Sequence, residues 1–154
     1  MERPALPRRL EDYLETIAEL CEQHGHAHVR DIARARGVRM ATVSEAVDAL
    51  TARGLVRHRN YGAAQLTEEG KRVAERVRRR HRILREFFYD LLGLPEEIAE
   101  HEACALEHTV SEVTLQRIEE LIECVRRCDE RGGGCQCLRR FRRLGQQAAG
   151  EPQQ

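Results

Sequence analysis

Val29-Arg-Asp-Ile32-Ala33-Arg-Ala-Arg36-Gly37-Val-Arg39-Met-Ala-Thr42-Val43-Ser44-Glu45-Ala-Val47-Asp-Ala-Leu50 is the stretch whose reading decides the fold. Ile32 and Ala33 give the inward side of a short helix, Val29 to Arg36, and Gly37 can take the left-handed conformation that ends it. Val43, Val47 and Leu50 then recur at helical spacing over Arg39 to Leu50. Two short helices joined by a glycine turn form a helix-turn-helix.

The flanks extend this pattern in both directions. Upstream, Leu10, Leu14, Ile17, Leu20 and Cys21 mark a first helix from Pro7 to His24, with Asp12 and Glu15 off that stripe. Gly25, with His24, His26 and His28, marks a turn. Downstream, two extended runs flank Asn60-Tyr61-Gly62 within Gly54 to Thr67, which reads as a β-wing. Thr67 can cap a long helix reaching about Leu92. Its apolar side is Val73, Val77, Leu84, Phe87, Phe88 and Leu91, and His81 lies mid-length. Pro95 suits the first position of a helix running to about His108. Ser111 caps the next, with a stripe of Val113 or Leu115, Ile118, Leu121, Ile122 and Val125, which Gly132-Gly133-Gly134 breaks. A short basic helix, Leu138 to Leu144, closes the pattern. The expected fold class is mainly α.

Composition agrees. Of 154 residues, 4% are aromatic, none is Trp and 34% are charged, a profile of charge-laced helices. Formal net charge is zero, yet Lys71 to Arg85 holds eight basic residues and one acid, whereas Pro95 to Glu123 holds nine acids and one base. Such asymmetry points to a nucleic-acid-facing half beside a different one. The start of the chain lacks an apolar core, and no apolar run approaches the roughly 20 residues of a membrane span. A cytoplasmic protein with no membrane partner is therefore expected. Its six cysteines are then ligands or thiols rather than structural disulfides.

Two clusters carry metal chemistry. On one helix, Cys104, Glu107 and His108 stand at i, i+3 and i+4 and project a sulfur, a carboxylate and an imidazole from one side. Asp12 and Glu15 project two carboxylates from another helix. These are donor types for divalent first-row ions. A metal tying the first helix of a winged domain to a later helix would make DNA binding metal-dependent. For the DNA itself, Arg30, Arg34, Arg36, Arg39, Arg53, Arg57, Arg59 and Lys71 can meet phosphates. Thr42, Ser44 and Glu45 stand where base edges are read. Arg57, His58, Arg59 and Tyr61 belong to the wing.

Taken together, these motifs resemble the diphtheria-toxin-repressor family of metal-dependent transcription regulators, in its short, manganese-regulator-like form. The resemblance covers about Leu10 to Phe141. It rests on Asp12-Tyr-Leu-Glu15, Val43-Ser44, Tyr61-Gly62, Leu66-Thr67-Glu-Glu-Gly70, Arg80-His81 and Glu102-Ala-Cys104-Ala-Leu-Glu107-His108. It implies a winged helix-turn-helix domain over residues 1–70, an all-helical metal-binding and dimerisation domain over 71–144, and a disordered tail over 145–154, with no SH3-like domain. It also implies a homodimer that represses metal-ion homeostasis genes by binding a palindromic operator in double-stranded DNA when loaded with Fe(II) or Mn(II). The ligands it implies are Asp12, Glu15, His81, Cys104, Glu107 and His108. Two departures make the chain a hybrid. The manganese branch has a carboxylate where Cys104 stands, and the iron branch has a methionine where Asp12 stands. A thiolate favours Fe(II) and added carboxylates favour Mn(II), so Fe(II) leads and Mn(II) follows. Glu100, His101 and Glu102 can substitute for this set or extend it.

The resemblance does not supply Cys124, Cys128, Cys135 and Cys137. Cys124 and Cys128 are i, i+4 on one helix, and four thiolates can close a Zn(II) site or hold an iron–sulfur cluster. The plainer reading has Cys124 and Cys128 buried and the other two exposed. The alternative function is thus a winged-helix thiol, redox or iron–sulfur sensor. An enzyme is not expected: there is no separate general base, phosphate loop or nucleophile elbow. A further rival is a helical module whose basic long helix binds an acidic partner.

Overall fold

The computed structural model of the chain describes residues 6–59 and 62–130. The order is α1 (Arg8–His24), β1 (Ala27–His28), α2 (Val29–Arg36), α3 (Met40–Ala52), β2 (Val56–Arg59), β3 (Ala63–Leu66), α4 (Glu68–Glu86), a π-helical turn (Phe87–Leu91), α5 (Glu96–Leu106) and α6 (Glu112–Glu130). The chain divides into two compact units, Met1–Arg78 and Arg79–Gln154. Asn60, Tyr61, Cys135, Cys137, the glycine run, the expected Leu138–Leu144 helix and the 145–154 tail lie outside the described residues.

In the first unit the apolar stripes meet as the spacing predicts. Leu14 and Ile17 of α1, Ile32 of α2, and Val43, Val47 and Leu50 of α3 are fully buried in one core. Gly37 ends α2 at φ 64°, and the Val38 amide donates to the Ala33 carbonyl at 3.0 Å. The wing is an antiparallel pair in which Val56 faces Leu66 and Arg59 faces Ala63. A third strand, not legible in the sequence, pairs Ala27 with Ala64 and His28 with Ala63, so the sheet order is β1-β3-β2. Two residues are too short to show an alternation. Thr67 caps α4: its Oγ1 accepts from the Gly70 amide (3.0 Å) and donates to the Gly54 carbonyl (2.7 Å). Gly70 itself packs against the wing's approach strand, where a Cβ would lie 1.9 Å from the Leu55 carbonyl oxygen.

The second unit has its own core of Ile83, Leu84, Ala103, Leu115 and Ile122, with Phe87 and Phe88 packed against it. The long helix stops at Glu86 and widens into the π turn, where the Leu92 amide reaches the Phe87 carbonyl at 3.0 Å. Phe87 and Phe88 are adjacent, so a regular turn would splay them about 100° apart. The wider turn accompanies the packing of both rings against the same core, edge to face at 5.4 Å. Pro95, at ψ 145°, is the N-cap of α5 rather than its first residue. Ser111 caps α6 by accepting from the Thr114 amide at 3.2 Å. Of the α6 stripe, Leu115, Ile118 and Ile122 turn inward, but Val113 and Leu121 are exposed (72% and 47%). Among the described residues no helix is long and apolar enough to cross a membrane.

Candidate functional site

Asp12 lies on the half-buried side of α1, one turn before Thr16. Its Oδ2 accepts from Arg36 Nη2 at 3.1 Å, and Arg36 also donates to the Asp12 carbonyl at 3.2 Å. The same guanidinium stacks over the buried Tyr13 ring, 5.0 Å from its centroid. Arg36, read from the sequence as a phosphate contact, is therefore engaged with a candidate ligand. Glu15 lies on the same helix, half-buried.

The second unit gathers the rest. Glu107 is a buried carboxylate, its side chain 4% exposed. One oxygen faces His81 Nδ1 at 2.6 Å and the other faces His108 Nε2 at 3.2 Å, with the His108 side chain 2% exposed. The other nitrogen of His81 faces Glu100 at 3.0 Å. The hydrogen bond to Glu107 raises the His81 pKa; burial opposes it, and the charges of Glu107 and Glu100 add to the rise. His81 thus stands between two carboxylates, as Arg36 stands beside Asp12. α5 ends at Leu106, earlier than the expected His108, and Glu107 is its C-cap. Arg80 donates to the carbonyls of Glu107 (3.3 Å) and Val110 (3.4 Å). Cys104 is exposed on α5, whereas Glu107 is buried, so the trio does not share one environment.

Among the described residues no three His, Cys, Asp or Glu side chains are disposed as a ready metal-holding group. The donor chemistry nevertheless fits a divalent first-row ion: two imidazoles and a buried carboxylate meet, with a second carboxylate beside them.

On the nucleic-acid side, Arg30, Arg39, Ser44, Glu45 and Arg57 are exposed, and Thr42 is half-buried. Ser44 Oγ donates to the Met40 carbonyl at 3.1 Å, and Arg57 donates to Gln65 Oε1 at 3.4 Å. The side chain of Arg59 and all of Tyr61 lie outside the described residues. Val38 and Met40 bracket Arg39 and are exposed, Met40 at 57%. They offer apolar contact of the kind that meets thymine methyl groups. A search for charge passes over them. The basic run on α4 is largely paired: Arg79 with Glu112 (2.9 Å) and Glu119 (2.5 Å), Arg85 with Glu96 (2.7 Å), and Arg78 with Glu22. Cys124 and Cys128 are both exposed on α6, contrary to the plainer reading.

Comparison with known proteins finds relatives for both halves of the chain. Residues 5–64 match the family described as "Iron dependent repressor, N-terminal DNA binding domain". Residues 67–133 match "Iron dependent repressor, metal binding and dimerisation domain". The chain is 34% identical over 114 residues to the HTH-type transcriptional regulator MntR of Geobacillus thermodenitrificans, covering 74% of this chain and 80% of that one. It is 37% identical over 106 residues to the transcriptional regulator MntR of Escherichia coli O6:H1, covering 69% and 68%. Among solved structures, T. acidophilum IdeR aligns with a TM-score of 0.67 at 30% identity, over 79% of this chain and 56% of that chain. A manganese-dependent transcriptional repressor in complex with manganese aligns at 0.65 and 34% identity, over 74% and 52%. The chain thus spans about half the length of these two solved proteins.

Proposed function

The chain belongs to the iron-dependent repressor family, and on that premise we propose that Asp12, Glu15, His81, Cys104, Glu107 and His108 hold the metal that governs its binding to DNA. It is a metal-dependent transcriptional regulator, a DNA-binding protein rather than an enzyme, and its metal is Fe or Mn. The redox and iron–sulfur alternative falls away with that assignment. Fe(II) is the favoured ion because Cys104 adds a soft donor, with Mn(II) the competitor. The proposed regulated genes are those of metal-ion homeostasis, and the proposed setting is the cytoplasm.

The observation that carries the ligand assignment is the buried Glu107 carboxylate faced by two imidazoles. A buried carboxylate is expensive without positive charge. Bound among these residues, a divalent cation would supply that charge. His81 faces Glu107 and Arg36 faces Asp12, each pair within one unit. The proposed ligands include residues of both units, and metal-dependent DNA binding is the proposed consequence. In the homodimer the two α3 helices must reach successive major grooves, about 34–36 Å apart, on a palindromic operator. Differential affinity of the metal for conformers near that spacing raises DNA affinity by population shift. The match of residues 67–133 to a metal binding and dimerisation domain supports self-association.

The test is an anaerobic operator titration with Fe(II), Mn(II), Zn(II) and no metal, at fixed salt. Asp12→Ala and His108→Ala are expected to remain folded dimers and to lose the metal-dependent gain in affinity. An unchanged metal response in both variants overturns the ligand assignment.

A further inference from the structure

His24, His26 and His28 crowd the turn between α1 and α2, and the regulatory reading uses none of them. Ala27 is buried and pairs with Ala64 of the wing strand β3. Alternate residues of an extended segment share a face, so His26 and His28 are turned together, away from that core, and both are half-buried. Their rings meet edge-on, with centroids 4.7 Å apart and Nε2 atoms 3.1 Å apart. A hydrogen bond between two such nitrogens needs one of them to present a lone pair. His28 is the N-cap of α2 but makes no side-chain cap hydrogen bond. Its ring is committed to His26 instead.

The geometry points to a cation site at His26 and His28: a two-imidazole chelate for a borderline divalent ion such as Ni(II), Cu(II) or Zn(II). Metal–imidazole bonds of about 2.0–2.1 Å, opened by roughly 90–110°, hold their nitrogens about 2.9–3.4 Å apart. The observed 3.1 Å lies inside that span. Small side-chain rotations turn both lone pairs from each other onto a common point, and water completes the coordination. The C-terminal end of α1 lies immediately before this turn, and its dipole favours a cation there. With imidazole donors and no carboxylate, the pair prefers late first-row ions to Mn(II). Both ligands come from one unit, so this site loads without engaging the second unit. It is separate from the switch proposed above.

Equilibrium dialysis of the full chain against Ni(II) tests this. Wild type is expected to retain one more Ni(II) per chain than His26→Gln/His28→Gln. Thiol sites elsewhere contribute equally to both and cancel. His28→Asn alone keeps a good N-cap residue and is expected to lose the same equivalent. In wild type, Ni(II) is expected to broaden the His26 and His28 ring resonances; their remaining sharp at Ni(II) saturation overturns the site. All three proteins keep their Mn(II)-dependent operator binding if the regulatory reading holds, so that result reports on the other proposal. Equal Ni(II) counts in wild type and a folded His28→Asn variant overturn the site.

Discussion

Asp12 and Glu107 are the two candidate ligands whose surroundings are most explicit. Each acid is paired within its own unit, Asp12 with Arg36 and Glu107 with His81. On the proposed ligand set, a metal would compete with a guanidinium for Asp12. The Arg36–Asp12 pair is only partly buried, with side chains 30% and 25% exposed, so it is worth up to about 1 kcal/mol. Arg36→Gln is expected to tighten Mn(II) binding by up to about fivefold, read by calorimetry. Weaker binding would mean that Arg36 organises the site rather than competing for it. Spacing and donor chemistry singled out Asp12, Glu15, Cys104, Glu107 and His108 as candidates, and the family resemblance added His81. Their counter-charges were not legible in the sequence, because Arg36 is distant in sequence from Asp12 and looks like any phosphate-binding arginine. Gly70 is a second case. As part of Thr67-Glu-Glu-Gly70 it was visible as a motif, but only the fold shows the Leu55 carbonyl against it. Gly70→Ala is expected to cost about 1–3 kcal/mol in urea unfolding, because backbone must yield to the new methyl. A variant as stable as wild type would place that contact in error.

Among the elements, the helices with strong apolar periodicity were readable and their ends less so. α2 follows its sequence pattern at both ends because Gly37 terminates it through its own backbone. α5 does not reach His108: the Thr109 and Val110 amides close a turn on the Leu106 carbonyl, and Arg80 of α4 donates to the Glu107 and Val110 carbonyls beyond it. The Arg80 contacts join residues distant in sequence, which no local rule reports. Arg80→Ala is expected to leave every proposed ligand in place yet weaken metal affinity by roughly 10-fold to 100-fold, as lost outer-shell support does elsewhere. Metal titration alongside circular dichroism separates this from unfolding; unaltered affinity would dismiss the role. The adjacent phenylalanines were assigned to the inward face of the long helix, but a regular helix cannot aim both, and the π turn accompanies their packing against one core.

At the scale of the molecule, charge asymmetry in the sequence suggested a basic helix open to partners. The fold spends much of that charge internally: Arg79 and Arg85 of α4 face acids of α5 and α6. Around the helix-turn-helix and wing, Arg30, Arg34, Arg39, Arg53 and Arg57 are exposed, and these are the proposed phosphate contacts. Salt dependence distinguishes the two sets. In a dimer, Arg39→Ala removes two phosphate contacts and is expected to flatten the slope of log K against log salt by about 2. Arg79→Ala is expected to leave the slope unchanged. Equal slopes for both variants would mean that α4, not the reading head, faces the backbone. The division into a DNA-binding half and a metal half was legible because their motifs are local, but pairing of charges across helices is a long-range property that composition cannot report.

The pairing of Ala27 with Ala64 has a consequence for synthesis. A nascent polypeptide emerges from the ribosome amino end first, and its first three helices wait for an edge that Ala63 and Ala64 supply. Until Leu66 has cleared the exit tunnel, the segment after α1 lacks its strand neighbour and exposes backbone to proteases and chaperones. A message truncated before the wing would therefore yield a fragment destined for degradation rather than a minimal reading head.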